Sequence, residues 1–341
     1  MESFFGFTLP GLEKAIGATG KEKYRARQLY RWIYNQGVFD FDGMSNIPKG
    51  LRAIFKDMFS TDLLPIKEAL TSKDGSKKFA FSAEDGHIIE SIVMPEKDRN
   101  TLCISTQIGC RMGCRFCVTG RMGFKRNLTV HEIVGQVVAV KEDLKKGSGE
   151  RITNIVLMGM GEPMDNLDNV MAALDIIRNP LGLDFSYRRI TVSSVGLVEG
   201  LKTLEPKSAV IAISLNAADD GKRTSIMPIN RLYSIGKIMQ FVKGFKLPNR
   251  ARITFEYVLL RGFNDSLDDA KRLAELLTGV KCKINLIPYN ESPYIEFKTP
   301  EPASVERFQS YLLDRHFTTI IRDSRGRDIC GGCGQLGMRY L

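Results

Sequence analysis

From about residue 100 onward, short β-rich apolar runs alternate with amphipathic segments, and this alternation limits the possible folds more than any other feature. The runs fall at 101–105, 152–158, 190–194, 209–215, 253–260, 284–287 and 318–321. Helical patterns lie between them. One opens at Thr129 with Glu132 three residues on, a capping box. Others repeat Val170, Met171, Leu174 and Ile177, then Leu267, Ala270, Leu273, Ala274 and Leu277 at helical spacing. Repeated strand–helix units imply a parallel sheet with helical crossovers. About six units predict an α/β fold, a partly closed (β/α)6 barrel over residues 99–325 rather than a complete eight-fold one.

Residues 1–65 read as a small helical module, with Ala26, Leu29, Tyr30 and Ile33, then Leu51, Ile54, Phe55 and Met58, at helical spacing. Trp32 is expected in its core. Residues 66–98 change to period two. Asp74-Gly75 and Glu84-Asp85-Gly86 between apolar runs predict β-hairpin structure linking module and barrel. Glu90, between Ile89 and Ile92, is expected on the solvent face by alternation. Residues 326–341 form a glycine-rich tail.

Hydrophobic content of 43% with 26% charged residues supplies a globular core. The start lacks the basic and apolar stretches of a leader, and no run is long enough to span a bilayer. The expectation is a cytoplasmic protein with no membrane partner. There thiols stay reduced, so the seven cysteines point to metal or catalysis. The net charge is +10, with basic residues crowding three places. Lys21, Lys23, Arg25, Arg27 and Arg31 share one early segment. Arg111, Arg115, Arg121, Lys125 and Arg126 surround a cysteine cluster, and Arg322, Arg325 and Arg327 precede the last cysteines. Such clustering suits a polyanion, most simply nucleic acid.

The cluster is Cys110, Cys114 and Cys117. Structural zinc sites usually take four ligands. A cubane iron–sulfur cluster takes one thiolate per iron, so three local cysteines leave one iron open to a substrate. Gly109 and Gly113 relax the loop, and Phe116 can shield a cluster. A zinc loop with a distant fourth ligand and scattered structural thiols are the alternatives. In parallel sheets ligands sit at the carboxyl ends of the strands. The residues there are Gly161 and Glu162, Ser193, then Ser214, Leu215 and Asn216, and finally Asn290. Small polar groups in these places suit a nucleoside-bearing ligand, although each alone would pass as a helix cap.

Several motifs together carry a resemblance over nearly the whole chain. They are Thr101 to Cys110 leading into the triple-cysteine loop, Gly123 to Thr129, Met158 to Pro163, Met227 to Asn230, Lys283 to Asn290 and Cys333 to Leu336. The chain resembles the RlmN/Cfr family of radical S-adenosylmethionine (SAM) adenine methyltransferases acting on RNA, and within it the RlmN branch. The resemblance implies a [4Fe–4S] cluster on Cys110, Cys114 and Cys117, with SAM chelated at the open iron. It places Gly161 and Glu162 at the SAM amine and Ser193, Ser214, Leu215, Asn216 and Asn290 along SAM.

It further implies a two-stage reaction using two SAM per turnover. A first SAM methylates Cys333; a second, cleaved by an electron, gives a radical that activates that methyl group for addition to carbon 2 of adenine. Cys103 then helps resolve an RNA–protein link and closes a transient disulfide with Cys333, while Glu90 becomes the proton acceptor. The implied partners are 23S rRNA in its peptidyl-transferase region, tRNA for some members, and a donor such as flavodoxin or ferredoxin.

Two departures stand out. Cys330 occupies a position usually held by another residue, with Gly331-Gly332 in place of two alanines. Asn216 replaces a histidine. The alternatives are carbon-8 methylation, an auxiliary centre at Cys330 and Cys333, and a zinc-binding RNA adaptor. Exposure and nearby arginines predict a thiolate at Cys333; Cys282 reads as core.

Overall fold

The computed structural model describes residues 1–340. The apolar runs form Arg99–Cys103, Asn154–Leu157, Ile190–Ser194, Val210–Ser214, Ile253–Leu259, Cys282–Pro288 and Thr318–Ile321, neighbours in that order in one sheet. Each is parallel to the next. Helices occupy every crossover, from Val130–Lys146 to Pro302–Leu313. The capping box opens the first of these: the Thr129 hydroxyl accepts the Glu132 N–H at 3.4 Å, and the Glu132 carboxylate accepts the Thr129 N–H at 2.9 Å. Thr318–Ile321 ends the sheet with a single paired edge, so the barrel stays partly open.

The hairpin region is larger than expected. Ile66–Thr71, Lys77–Ser82 and Ile88–Glu96 form an antiparallel meander, and the last of these pairs with Arg99–Cys103. It therefore extends the barrel sheet into one ten-stranded sheet instead of linking two bodies. Glu90 corrects the alternation argument: it is completely buried. It shares a strand face with Ile92 and Met94, which line the central cavity. The face read as solvent-exposed is thus covered, here by the C-terminal loop.

Helices Leu9–Ala18, Arg25–Tyr30 and Lys49–Met58 make up the N-terminal module. Ala26, Leu29, Tyr30, Ile33 and Phe55 are buried as expected, while Leu51, Ile54 and Met58 are only partly covered. Trp32 is also half-covered, because its indole N–H reaches outward to the Asn46 side-chain Oδ1 at 2.7 Å. The module shares its apolar cluster with the barrel, and Lys141 donates to the Tyr34 carbonyl at 2.6 Å across the seam.

Phe255 lies on the central strand Ile253–Leu259, every residue of which is buried. Phe255→Ala is expected to lower unfolding free energy by about 3–5 kcal/mol. Urea unfolding of the apoprotein, with an unchanged denaturant slope, would check the value.

Candidate active site

A cavity opens at the carboxyl ends of the parallel strands, and Cys110, Cys114 and Cys117 line it together with Cys103 and Cys333. The loop bearing the first three depends on glycine. Gly109 has φ +71°, and a Cβ there would fall 1.6 Å from the Gly123 carbonyl oxygen. A Cβ on Gly120 would fall 2.9 Å from the Cys114 carbonyl oxygen. Burial pushes the Cys110 thiol up to about 12 and raises Cys114 and Cys117 as well. Three thiols line one cavity, and a cubane takes one thiolate on each of several irons.

Gly161 has φ +100°, and a Cβ there would meet the Gln107 Cβ at 2.5 Å. This close approach lets Gln107 Oε1 accept the Glu162 N–H at 2.8 Å. The Glu162 carboxylate lines the cavity and accepts N–H groups from Val195 at 2.9 Å and Met164 at 3.2 Å. Burial outweighs these bonds and pushes its pKa up to about 7. The Ser193 and Ser214 hydroxyls lie 3.3 Å apart on the cavity wall.

Asn216, also on that wall, has φ +58°, a region asparagine tolerates better than most residues. Its Oδ1 accepts the Val258 N–H at 2.9 Å. Leu215 differs: its side chain belongs to the apolar core, and its carbonyl accepts from Arg223 at 2.9 Å. Asn290 donates to the Ser324 hydroxyl at 2.8 Å and the Cys333 carbonyl at 3.1 Å, while its own Oδ1 is buried without a partner.

The C-terminal loop brings Cys333 to the cysteine cluster. Gly334 accepts the Val118 N–H at 2.9 Å beside Cys117. The antiparallel extension grips this loop along its length: Asp74 accepts the Gly326 N–H at 2.8 Å, and Asp328 accepts the Ser72 hydroxyl at 2.5 Å. Glu90 accepts the Gly337 N–H at 2.6 Å and pairs with buried Lys78 at 2.8 Å. Glu90 thus lies beside the cavity and is absent from its lining among the described residues.

The glycines of the C-terminal loop serve close packing. A Cβ on Gly331 would sit 2.4 Å from Ile92 Cδ1, and one on Gly332 would sit 2.9 Å from Asn290 Cγ. Cys330 has φ +54°, and its carbonyl accepts from Lys78 at 3.4 Å.

Cys333 is exposed and lines the cavity. Desolvation, with Cys117 and Glu256 adding to it, pushes its thiol up to about 12 against the opposing charge of Arg322. The expected thiolate is therefore disfavoured in this state. Cys103 is likewise pushed up to about 12 by burial. Both thiols are free, so the expected Cys103–Cys333 disulfide is not formed.

Sequence reading missed Glu256. It sits mid-strand in an unbroken buried run, which gives no periodic signal. Its Oε1 accepts from Asn285 at 2.8 Å; its Oε2 is buried without a partner in the cavity wall.

Residues 3–60 match the ribosomal RNA large subunit methyltransferase N-terminal domain, and residues 104–277 match the radical SAM superfamily. The fold is that of a radical SAM enzyme. The structure aligns with a radical SAM methyltransferase from Sphaerobacter thermophilus at TM-score 0.91 and 41% identity, covering 98% of this chain and 99% of that one. Over 332 residues it is 48% identical to the dual-specificity RNA methyltransferase RlmN of Geobacter sulfurreducens, 97% of this chain and 91% of that one. The corresponding protein of Geotalea uraniireducens is 47% identical over 97% of this chain and 95% of its own length. The chain belongs to the RlmN family, the RNA methyltransferases of the radical SAM superfamily.

Membership implies a [4Fe–4S] cluster and SAM. The cavity fits both: three thiols share it with orphaned acceptors on Asn290 and Glu256. Among the described residues, no helix is long and apolar enough to cross a membrane.

Gly109→Ala is expected to disorder the cysteine loop and to cut iron bound after anaerobic reconstitution severalfold. Iron and sulfide assays would measure the loss, and wild-type iron content in the variant would contradict this account of the loop.

Proposed function

We propose that this protein methylates carbon 2 of an adenine in 23S rRNA, in the peptidyl-transferase region, and in the tRNA anticodon loop, with Cys333 as methyl carrier. One observation carries this reading: Cys333, remote in sequence from the cluster cysteines, lines the same cavity as they and Cys103 do. The name of the Geobacter relative, a dual-specificity RNA methyltransferase, supports two RNA substrates.

In this reading Cys110, Cys114 and Cys117 hold the cluster, and Glu162 receives the SAM amine. Ser193, Ser214, Asn216 and Asn290 position SAM, with Leu215 contributing backbone. Bound together, cluster and SAM supply an electron, a methyl group and radical chemistry, with two SAM consumed per turnover. The aromatic carbon 2 is too weak a nucleophile for polar methyl transfer, which is why a radical route is required.

The chain's own residues do the rest. The Cys333 sulfur takes up the methyl group after losing its proton, and it is presented by Asn290 and the packed glycines. Buried walls keep water from the reacting carbon. Cys103, which lines the same cavity as Cys333, helps release the RNA-linked product. Glu90, ion-paired with Lys78 beside the cavity, accepts the proton lost from the adenine ring. The exposed cations Arg115, Arg121 and Lys125 around the loop suit RNA phosphates. The target base must leave its stack to enter. An electron donor such as flavodoxin or ferredoxin completes the set. The auxiliary-centre alternative gains nothing from Cys330, which is absent from the cavity lining among the described residues.

Mass spectrometry of adenosines from RNA treated with reconstituted enzyme tests the reading; methylation at carbon 8, or none, would overturn it. Cys333→Ala is expected to abolish turnover. Cys103→Ala is expected to accumulate a covalent enzyme–RNA adduct visible as a retarded band on denaturing gels, and recovery of only free methylated RNA would remove its resolving role.

A further inference from the structure

Arg223 is fully buried, the bulkiest of the side chains so enclosed. Its Nε donates to the Leu215 carbonyl at 2.9 Å. Its Nη1 donates to Asn230 Oδ1 at 2.6 Å and the Tyr233 carbonyl at 3.2 Å. Its Nη2 donates to the carbonyls of Val195 at 2.6 Å and Ser214 at 3.2 Å. A guanidinium has five N–H donors, and these five bonds all end on neutral oxygens. The neighbouring carboxylate, Asp220, is engaged elsewhere, accepting from Asn230 Nδ2 at 2.8 Å and the Ile235 N–H at 2.9 Å. Hydrogen bonding is therefore complete, while among the described residues no carboxylate pairs directly with the guanidinium and Asp220 acts only through Asn230. A buried cation without an anion is strongly unfavourable.

The missing negative charge has one evident source. Arg223 lies on helix Asp220–Ile226, whose final carbonyl accepts the Arg115 N–H at 2.9 Å. Ile226 and Met227 pack with Cys110, Cys114 and Met112 in one apolar cluster. Val195, whose carbonyl accepts from Nη2, packs against the same cluster. In apolar surroundings charges interact with little screening. Three thiolates on an iron–sulfur cubane bring the negative charge that this cation lacks.

We propose that Arg223 is the fixed counter-cation of the iron–sulfur centre and raises its reduction potential. The inference rests on the reading that Cys110, Cys114 and Cys117 hold that centre. Reduction adds one electron and makes the centre more negative, so a nearby buried cation stabilises the reduced form. The same guanidinium ties together the backbone after two neighbouring strands, where Ser193 and Ser214 face the cavity. One side chain thus acts on both the charge and the shape of the site. It is a positioning residue and touches no reacting atom.

The test is a spectroscopic redox titration of the anaerobically reconstituted cluster. Arg223→Gln is expected to shift the midpoint to more negative values, and Arg223→Lys to restore it close to wild type. A purely structural staple would change stability and leave the potential of any loaded centre where it was. Because Arg223→Gln removes five bonds, a second variant exchanges Asp220→Asn with Asn230→Asp. This keeps net charge and the contact between the two side chains, but puts a carboxylate directly on the guanidinium. Its midpoint should also fall. A folded, loaded exchange variant with the wild-type midpoint overturns the proposal. Wild-type protein that binds no four-iron centre would instead overturn the ligand reading, a separate and recognisable failure.

Discussion

Because Ile88–Glu96 pairs with Arg99–Cys103, the antiparallel extension and the parallel barrel share one run of backbone hydrogen bonds. The site depends on this continuity. It holds Ile92 opposite Cys103 and carries the buried carboxylate of Glu90 to the margin of the cavity. It also presents Asp74, Lys78 and Glu90 as anchors for the C-terminal loop. Without that pairing, Cys333 would lack the surface that holds its loop against Cys117.

The cavity combines two opposing demands. Buried thiols and carboxylates are raised in pKa by desolvation, which resists the charge that metal and sulfonium chemistry requires. Backbone N–H groups at Glu162 and the cations of Arg223 and Arg322 partly offset this. Their placement follows from parallel strands, which end at a common level, so that loops distant in sequence converge there.

Much was legible in the residues alone because the governing physics was local. Strand–helix alternation announced the barrel, and the Thr129–Glu132 cap announced its first crossover helix. The Cys110, Cys114 and Cys117 spacing announced thiols gathered at one cavity, since all three lie on one loop. Where two-residue alternation was the sole guide it failed at Glu90, because alternation separates the two faces of a strand without saying what covers each. Glu256 gave no signal, because both faces of a central parallel strand are buried and its polarity breaks no pattern.

The sequence by itself determined the order of strands and helices, the ligand loop and the family, for these depend on local spacing and on motifs read in place. Tertiary structure alone decided that Cys333 meets Cys103 in one cavity, that Glu90 is buried against Lys78, and that Gly331 and Gly332 serve close approach. It also decided that Arg223 stands without a carboxylate partner of its own. The reason is physical: burial and charge compensation are set by which segments fold over one another, and no stretch of chain carries that information within itself.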